Sequence, residues 1–195
     1  MPESFDLISE PWIPVVGLSE PRHFKVGLEQ LLLECQTYRN IQGVTPLETV
    51  AIYRLVLALL HTIFDVTDDA WKAMWREGHF ERSLIASYLI ECQQQNRFDL
   101  FDPTHPFFQD VRLDSKPESI SSLRGHLASG ADSTLFSHNT EQPHLALAPD
   151  EAACALLSIQ SFGLGGTKAR ASHSLMHRVR VVSCFCSKEI ISLRH

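Results

Sequence analysis

The chain has 195 residues, of which 44% are hydrophobic and 21% are charged, which is typical of a soluble globular domain. A formal net charge of −6 argues against a protein that coats nucleic acid through bulk positive charge. The five cysteines are irregularly spaced and no signal-peptide pattern is found, so we expect reduced thiols in a cytoplasmic protein.

Charge is unevenly distributed along the chain. Residues 168–195 hold six of the 17 basic side chains but only one of the 23 acidic ones, Glu189. The part before residue 168 therefore carries 11 basic and 22 acidic side chains, a net charge of −11. The basic end is either a nucleic-acid-binding tail or a segment of different origin from the acidic body.

The first predicted element, at residues 5–17, mixes β-branched, aromatic and proline residues. Pro11 and Pro14 each lack the backbone N–H that a β-ladder needs, so the pattern favours an edge strand or a strand-turn over a central strand. A short helix is predicted after Lys25, because apolar residues recur there with the helical period of about 3.6 residues. These residues are Leu28, Leu31, Leu32 and Cys35.

The strongest helix signal starts at Thr45, a favourable N-cap that is followed by a proline and, three residues on, by a glutamate. The helix is expected to run to about Phe64 and to be a central core helix, because apolar residues lie on most of its sides. They are Leu47, Val50, Ala51, Leu55, Val56, Leu59, Leu60 and Ile63. Arg54 and His61 interrupt the apolar run, which indicates a buried helix and no membrane span.

Two further helices are predicted downstream. One begins at Asp68 or Asp69 and carries Trp71 and Trp75, which are spaced i,i+4 and therefore share a face. The other is amphipathic and covers residues 83–95.

Loops dominate the next part of the chain. Prolines break the pattern at residues 98–115, and another short helix is predicted near residues 120–127. The polar segment 129–147 is too long for a routine connection and is expected to be functional or disordered. A last helix is predicted at residues 148–162, ended by Gly163. The sequence thus predicts an α+β domain, mostly helical, with a small N-terminal β element.

Motifs for catalysis are weak. His173 and His177 are four residues apart, but no glutamate between them could act as a general base. We therefore predict no metal, no cofactor and no enzymatic activity. Cys154 lies on an apolar helical stripe, where an inert core thiol is usual. The alternative is a metal- or thiol-dependent hydrolase that uses Cys154 with His138 or His144.

A glycine segment follows the last predicted helix. It does not match the dinucleotide-binding fingerprint, which follows a strand and opens a helix. Gly163 is explained as a helix C-cap, whereas Gly165 and Gly166 would let the backbone approach another surface closely. Lys168 and Arg170 come next, so a polyanion is a sensible partner. The alternative interpretation is a flexible hinge.

Three aromatic residues beside prolines also have two interpretations. Trp12, Phe107 and Phe108 could stack on nucleic-acid bases. Because the prolines fix a turn against apolar neighbours, we predict that these residues are core anchors instead.

Five segments carry a combined family signal when they are read in order. They are Phe5-Asp6-Leu7-Ile8-Ser9-Glu10-Pro11-Trp12-Ile13-Pro14-Val15, Thr45-Pro46-Leu47-Glu48-Thr49-Val50-Ala51, Asp102-Pro103-Thr104-His105-Pro106-Phe107-Phe108-Gln109, Gly130-Ala131-Asp132-Ser133-Thr134-Leu135-Phe136 and Phe162-Gly163-Leu164-Gly165-Gly166. Together they resemble the N-terminal domain of the CasA family, the large subunits of the type I-E CRISPR surveillance complex (Cascade). The resemblance covers about residues 1–172, which we take as one domain fragment.

The resemblance implies a non-enzymatic subunit that works with the other Cascade subunits and the crRNA. Such subunits check target double-stranded DNA for a short protospacer-adjacent motif, help to open the duplex and offer a docking surface to a helicase-nuclease. The nucleic-acid-binding residues that it implies here are Gly163, Gly165, Gly166, Phe136 and Asn139. Lys168 and Arg170 join them because of their charge and position.

The resemblance ends near residue 172, and residues 173–195 are predicted to be a basic tail. One back-translation of residues 187–194, read two nucleotides later, gives Gln-Gly-Asn-Asn-Leu-Phe-Glu-Thr, which is similar to the family's next segment. We therefore expect an out-of-frame tail on a truncated family member. Sequencing the gene across codons 170–195 tests this: a homologous frame that runs through the stop supports it, and the absence of one contradicts it.

Overall fold

The structure is a computed structural model, and it describes residues 4–64, 67–109 and 147–162. Three strands and five α-helices lie within these ranges: β1 Ile13–Gly17, β2 His23–Val26, α1 Leu28–Leu33, β3 Tyr38–Ile41, α2 Pro46–Ile63, α3 Asp68–Glu77, α4 Arg82–Gln94 and α5 Pro149–Phe162. The predicted α+β fold, mostly helical with a small N-terminal β element, is confirmed. The helix predicted near residues 120–127 and most of the polar segment lie outside the described residues.

The three strands form one antiparallel sheet in the order β2-β1-β3. The prediction of an edge strand for the opener is therefore wrong, because β1 is central. The register explains why Pro14 is tolerated there: the β3 ladder begins at the pair Val15–Ile41, so no β3 residue lies opposite Pro14. The Pro14 carbonyl accepts a hydrogen bond from the Gln42 N–H at 2.9 Å. The N–H that proline lacks would point to this same side, beyond the end of β3.

Trp12 anchors the opener in the core. Its side chain is fully buried, and the indole N–H donates to the Leu7 carbonyl oxygen at 2.8 Å. The residues before it pair with the chain after α4, since the Leu7 N–H donates to Phe98 O at 2.9 Å and the Leu100 N–H donates to Phe5 O at 3.0 Å. The prediction that Trp12 is a core anchor is confirmed.

Asp102 organises the turn that carries the two phenylalanines. Its Oδ1 accepts hydrogen bonds from the Thr104 hydroxyl at 2.7 Å and from the His105 N–H at 2.6 Å. These bonds, led by that of the Thr104 hydroxyl, lower the pKa of Asp102 to about 2. Phe107 is buried and Phe108 packs against the core while partly exposed. Both are therefore core residues, as predicted.

The start of α2 is the predicted capping box. The Thr45 hydroxyl accepts from the Glu48 N–H at 3.2 Å, and the Glu48 carboxylate accepts from the Thr45 N–H at 3.3 Å. The helix belongs to the core as predicted, but only on one side, where Ala51, Ile52, Leu55, Leu59 and Leu60 are buried. On the other side Leu47, Val50 and Leu57 are about half exposed. Apolar composition all round the helix therefore does not mean burial all round it.

In the described ranges, α2 is also the one helix with the length and hydropathy of a membrane span, 18 residues at a mean hydropathy of 1.4. A core helix of a globular protein has the same properties, and α2 packs against α4, α5 and β3. Length and hydropathy alone are therefore weak evidence for a membrane span.

The helix α3 begins at Asp68 as predicted, and α4 lies within one residue of its predicted range, but the two tryptophans of α3 differ in environment. Trp71 is partly buried and meets the His61 ring edge-on, with ring centroids 5.7 Å apart. Trp75 is 88% exposed. Of the predicted aromatic pair, only Trp71 packs against the core.

Candidate nucleic-acid interface

The residues that the sequence assigns to nucleic acid all lie outside the described ranges. They are Phe136, Asn139, Gly163, Gly165, Gly166, Lys168 and Arg170. The structure does describe α5, the element between them. This helix follows the polar segment and ends at Phe162, immediately before the glycine segment, residues 163–166. The anchoring of α5 therefore determines where both segments join the folded part.

The first turn of α5 is tied to the sheet. Lys25 of β2 donates a hydrogen bond to Asp150 and forms an ion pair with it. This hydrogen bond raises the pKa of Lys25. Asp150 and Glu151 also place negative charge at the positive end of the helix dipole. Side-chain electrostatics thus fix the beginning of α5 against β2.

The middle of α5 packs on the opener through Cys154. This buried thiol donates to the Trp12 carbonyl oxygen, with 3.5 Å between sulfur and oxygen. Burial raises the pKa of the Cys154 thiol to about 12, so it is protonated at neutral pH and is a poor nucleophile. The geometry favours the inert core thiol over the hydrolase alternative, whose His138 and His144 lie outside the described residues. Within the described ranges, no group of three or more metal-ligating side chains is found.

The last turn of α5 is held from two sides. The Gln160 side-chain amide donates to the Phe108 carbonyl oxygen at 3.2 Å. The Arg54 guanidinium of α2 lies over the Phe162 ring, 5.6 Å from its centroid. Since Phe108 is followed by Gln109, the last residue described before the gap, the chain enters that gap beside the end of α5. The point at which the chain leaves the described residues after Gln109 and the point at which the glycine segment begins therefore lie at the same end of this helix.

Sequence reasoning missed the contacts that hold this end of α5. A signal existed for Arg54, because it is the one charged residue between Glu48 and His61 in an apolar helix. No signal connects Gln160 with Phe108, which are 52 residues apart in the sequence.

Comparison with known proteins identifies the family. A family model described as CRISPR-associated protein Cse1 matches residues 6–187. The curated CRISPR-associated protein CasA/Cse1 of Thermus thermophilus is 39% identical over 176 residues, which are 86% of this chain and 33% of that relative. The chain belongs to the Cse1 family.

Solved structures of Cse1 proteins agree with this assignment. Thermus thermophilus CasA (Cse1) superposes with a TM-score of 0.66 at 32% identity, over 86% of this chain and 33% of that one. Thermobifida fusca Cse1 gives 0.70 at 27% identity, over 84% and 31%. A chain of a CRISPR RNA-guided surveillance complex gives 0.68 at 22% identity, over 85% and 36%, which shows the shared fold alone.

The chain spans about one third of the length of the relatives it matches. The family match includes the opener, α5 and the glycine segment. It also continues past residue 172, where the sequence predicts that the resemblance ends. The out-of-frame tail stays a prediction, and the gene sequence is its test.

Proposed function

We propose that this chain is part of a non-enzymatic Cascade subunit, in which it helps to recognise the protospacer-adjacent motif in target double-stranded DNA. The observation that carries the proposal is the Cse1 family match across residues 6–187. The likeness to a chain of a CRISPR RNA-guided surveillance complex is in keeping with crRNA and the other complex subunits as partners.

The DNA contact is proposed for the glycine segment and the basic residues after it. Without a Cβ, the backbone of Gly165 and Gly166 can come within hydrogen-bonding distance of a duplex, while Lys168 and Arg170 supply charge for its phosphates. Anchoring supports this assignment, because α5 is held at its beginning, middle and end. Segments that leave a fixed element are better positioned for recognition than segments between loops.

The polar segment is proposed to act beside it. Phe136 and Asn139 would seat the DNA and the end of the crRNA, as the family resemblance implies. Charge is in keeping with DNA contact in this part of the sequence: the residues before position 168 carry a net charge of −11 and repel a duplex, and the basic residues after it attract one.

A second partner is proposed on the family resemblance. The assembled subunit would offer a docking surface to the helicase-nuclease that degrades the target. Pulldown of the helicase-nuclease by the DNA-bound complex, with and without this chain, tests it: equal capture in both samples contradicts the proposal.

The DNA contact is tested by Gly165→Asp in a complex reconstituted with crRNA and the other subunits. An aspartate beside phosphates brings like charges together, so we expect affinity for a motif-bearing duplex to fall about tenfold or more. Gly78→Asp is the matched control, because Gly78 caps α3 at a φ of 71° with open space around it, and aspartate tolerates that conformation. Unchanged affinity in the Gly165→Asp complex would contradict the role of the glycine segment.

A further inference from the structure

Arg54 is an exposed cation in an apolar stretch of α2. It is the only charged residue between Glu48 and His61, and its guanidinium lies over the ring of Phe162. The ion pairs found among the described residues do not include Arg54. Its charge therefore has no carboxylate partner in the part of the chain that the structure describes.

The surroundings of Arg54 on both helices are uncharged. Its neighbours one turn away on α2 are Val50, Ala51, Leu57 and Ala58, and α5 carries no charged residue from Ala152 to its end at Phe162. An acidic neighbour at i±3 or i±4, which would indicate a stabilising surface pair, is missing from this helix. Within the described ranges, no carboxylate of α2 or α5 neutralises Arg54.

The ring contact places the guanidinium at the end of α5. Its central carbon lies over the Phe162 ring, 5.6 Å from the centroid, and Phe162 is the last residue of this helix. A guanidinium presents a planar set of N–H donors, which matches the oxygens of a phosphate. Arg54 therefore lies beside the last residue before the glycine segment.

We propose that Arg54, held on Phe162, binds a backbone phosphate of the target duplex next to the glycine segment. The inference rests on the proposed function and adds to it a residue from α2, more than 100 positions earlier in the chain. A phosphodiester is the ligand class because the donor set is cationic and planar and because Lys168 and Arg170 follow the same helix end.

The test uses reconstituted complexes that carry Arg54→Gln or Arg54→Lys, titrated with motif-bearing and motif-lacking duplexes at several salt concentrations. Arg54→Gln should weaken both duplexes roughly three- to tenfold and lower the slope of log affinity against log salt by about 0.9, because a phosphate contact is independent of base sequence. Arg54→Lys should keep most of the slope. Arg76→Gln removes an exposed arginine from α3 and should change neither quantity.

Four results separate this inference from the function on which it rests. An Arg54→Gln complex with wild-type affinity and slope overturns the role of Arg54, and so does a loss of affinity without a loss of slope, which would indicate a structural role. If Gly165→Asp weakens binding in the same assay while Arg54→Gln does not, the proposed function stands and the Arg54 contact is wrong. If neither variant weakens binding, both are wrong.

Discussion

The opener around Trp12 and the C-terminal end of α5 are built in opposite ways. Around Trp12 the polar groups find partners inside the protein: the indole N–H binds the Leu7 carbonyl and the Trp12 carbonyl accepts from Cys154. At the end of α5, the Arg54 charge is exposed beside Phe162 and has no carboxylate partner among the described residues. The opener, which marks the family most clearly, is therefore structural, whereas binding is expected where the chain leaves the packed helices.

Removing Trp12 should produce the largest loss of stability and would sharpen this comparison. Trp12→Ala empties a fully buried site, so we expect the free energy of unfolding to fall by about 3–5 kcal/mol in urea titrations followed by circular dichroism. Trp75→Ala is the matched control, because that side chain is 88% exposed and its loss should change stability by about 0.5 kcal/mol or less. Equal losses in the two variants would contradict the structural role of the opener.

The pH dependence of stability should reveal the buried thiol beside Trp12. The folded pKa of Cys154 is raised from an ordinary 9.0 to about 12, so its contribution is complete below pH 9.0 and is lost as the pH rises toward 12. In that window wild-type stability should fall faster than that of Cys154→Ala, by up to about 1.4 kcal/mol per pH unit. Unfolding free energies measured from pH 8 to about 11 check this. Parallel curves for the two proteins would mean that the thiol is accessible to water.

The capping box of α2 should contribute a smaller amount. Thr45→Ala removes the side-chain acceptor of the Glu48 N–H, which is expected to cost about 1 kcal/mol of unfolding free energy. Thr67→Ala makes the same change at the N-cap of α3, a helix without buried residues, and should cost less in global stability. An equal loss of unfolding free energy in Thr67→Ala and Thr45→Ala would contradict this expectation.

The smallest effect on stability is expected for the ion pair between Lys25 of β2 and Asp150 of α5. A double-mutant cycle of Lys25→Gln and Asp150→Asn should give a coupling of about 0.2–1 kcal/mol that weakens in high salt, because the lysine is half exposed. Asp150→Asn alone should cost more than Lys25→Gln, since it also removes charge from the N-terminal end of the α5 dipole. A coupling of zero would show that the pair does not anchor α5.

The sequence was informative wherever a signal is local. The capping box at Thr45, the range of α5 and the burial of Trp12 each follow from a few neighbouring residues. Two features depend on contacts between distant parts of the chain. Pro14 is tolerated in a central strand because the β3 ladder does not extend to it. The helix α2 is buried on one side because its neighbours cover only that side. Neither fact can be derived from residue order within the element.

The candidate site likewise has a part that local sequence signals predict and a part that they do not. The glycines and basic residues after α5 could be selected from composition and from the family resemblance. The lone charge of Arg54 in an apolar helix was a signal, but its contact with Phe162, like that of Gln160 with Phe108, could not be derived, because only the packing of α5 brings these partners together. Residues that support a binding segment from distant elements are the ones that sequence patterns miss.

The claim that the chain meets DNA just after α5 can be measured directly by photo-crosslinking. A crosslinking amino acid in place of Leu164 leaves Gly163, Gly165 and Gly166 intact, and the same amino acid in place of Trp75 is the control. In a complex bound to a motif-bearing duplex, we predict crosslinks to DNA beside the motif from position 164 and none from position 75. A DNA-bound complex without crosslinks from position 164 would contradict the account.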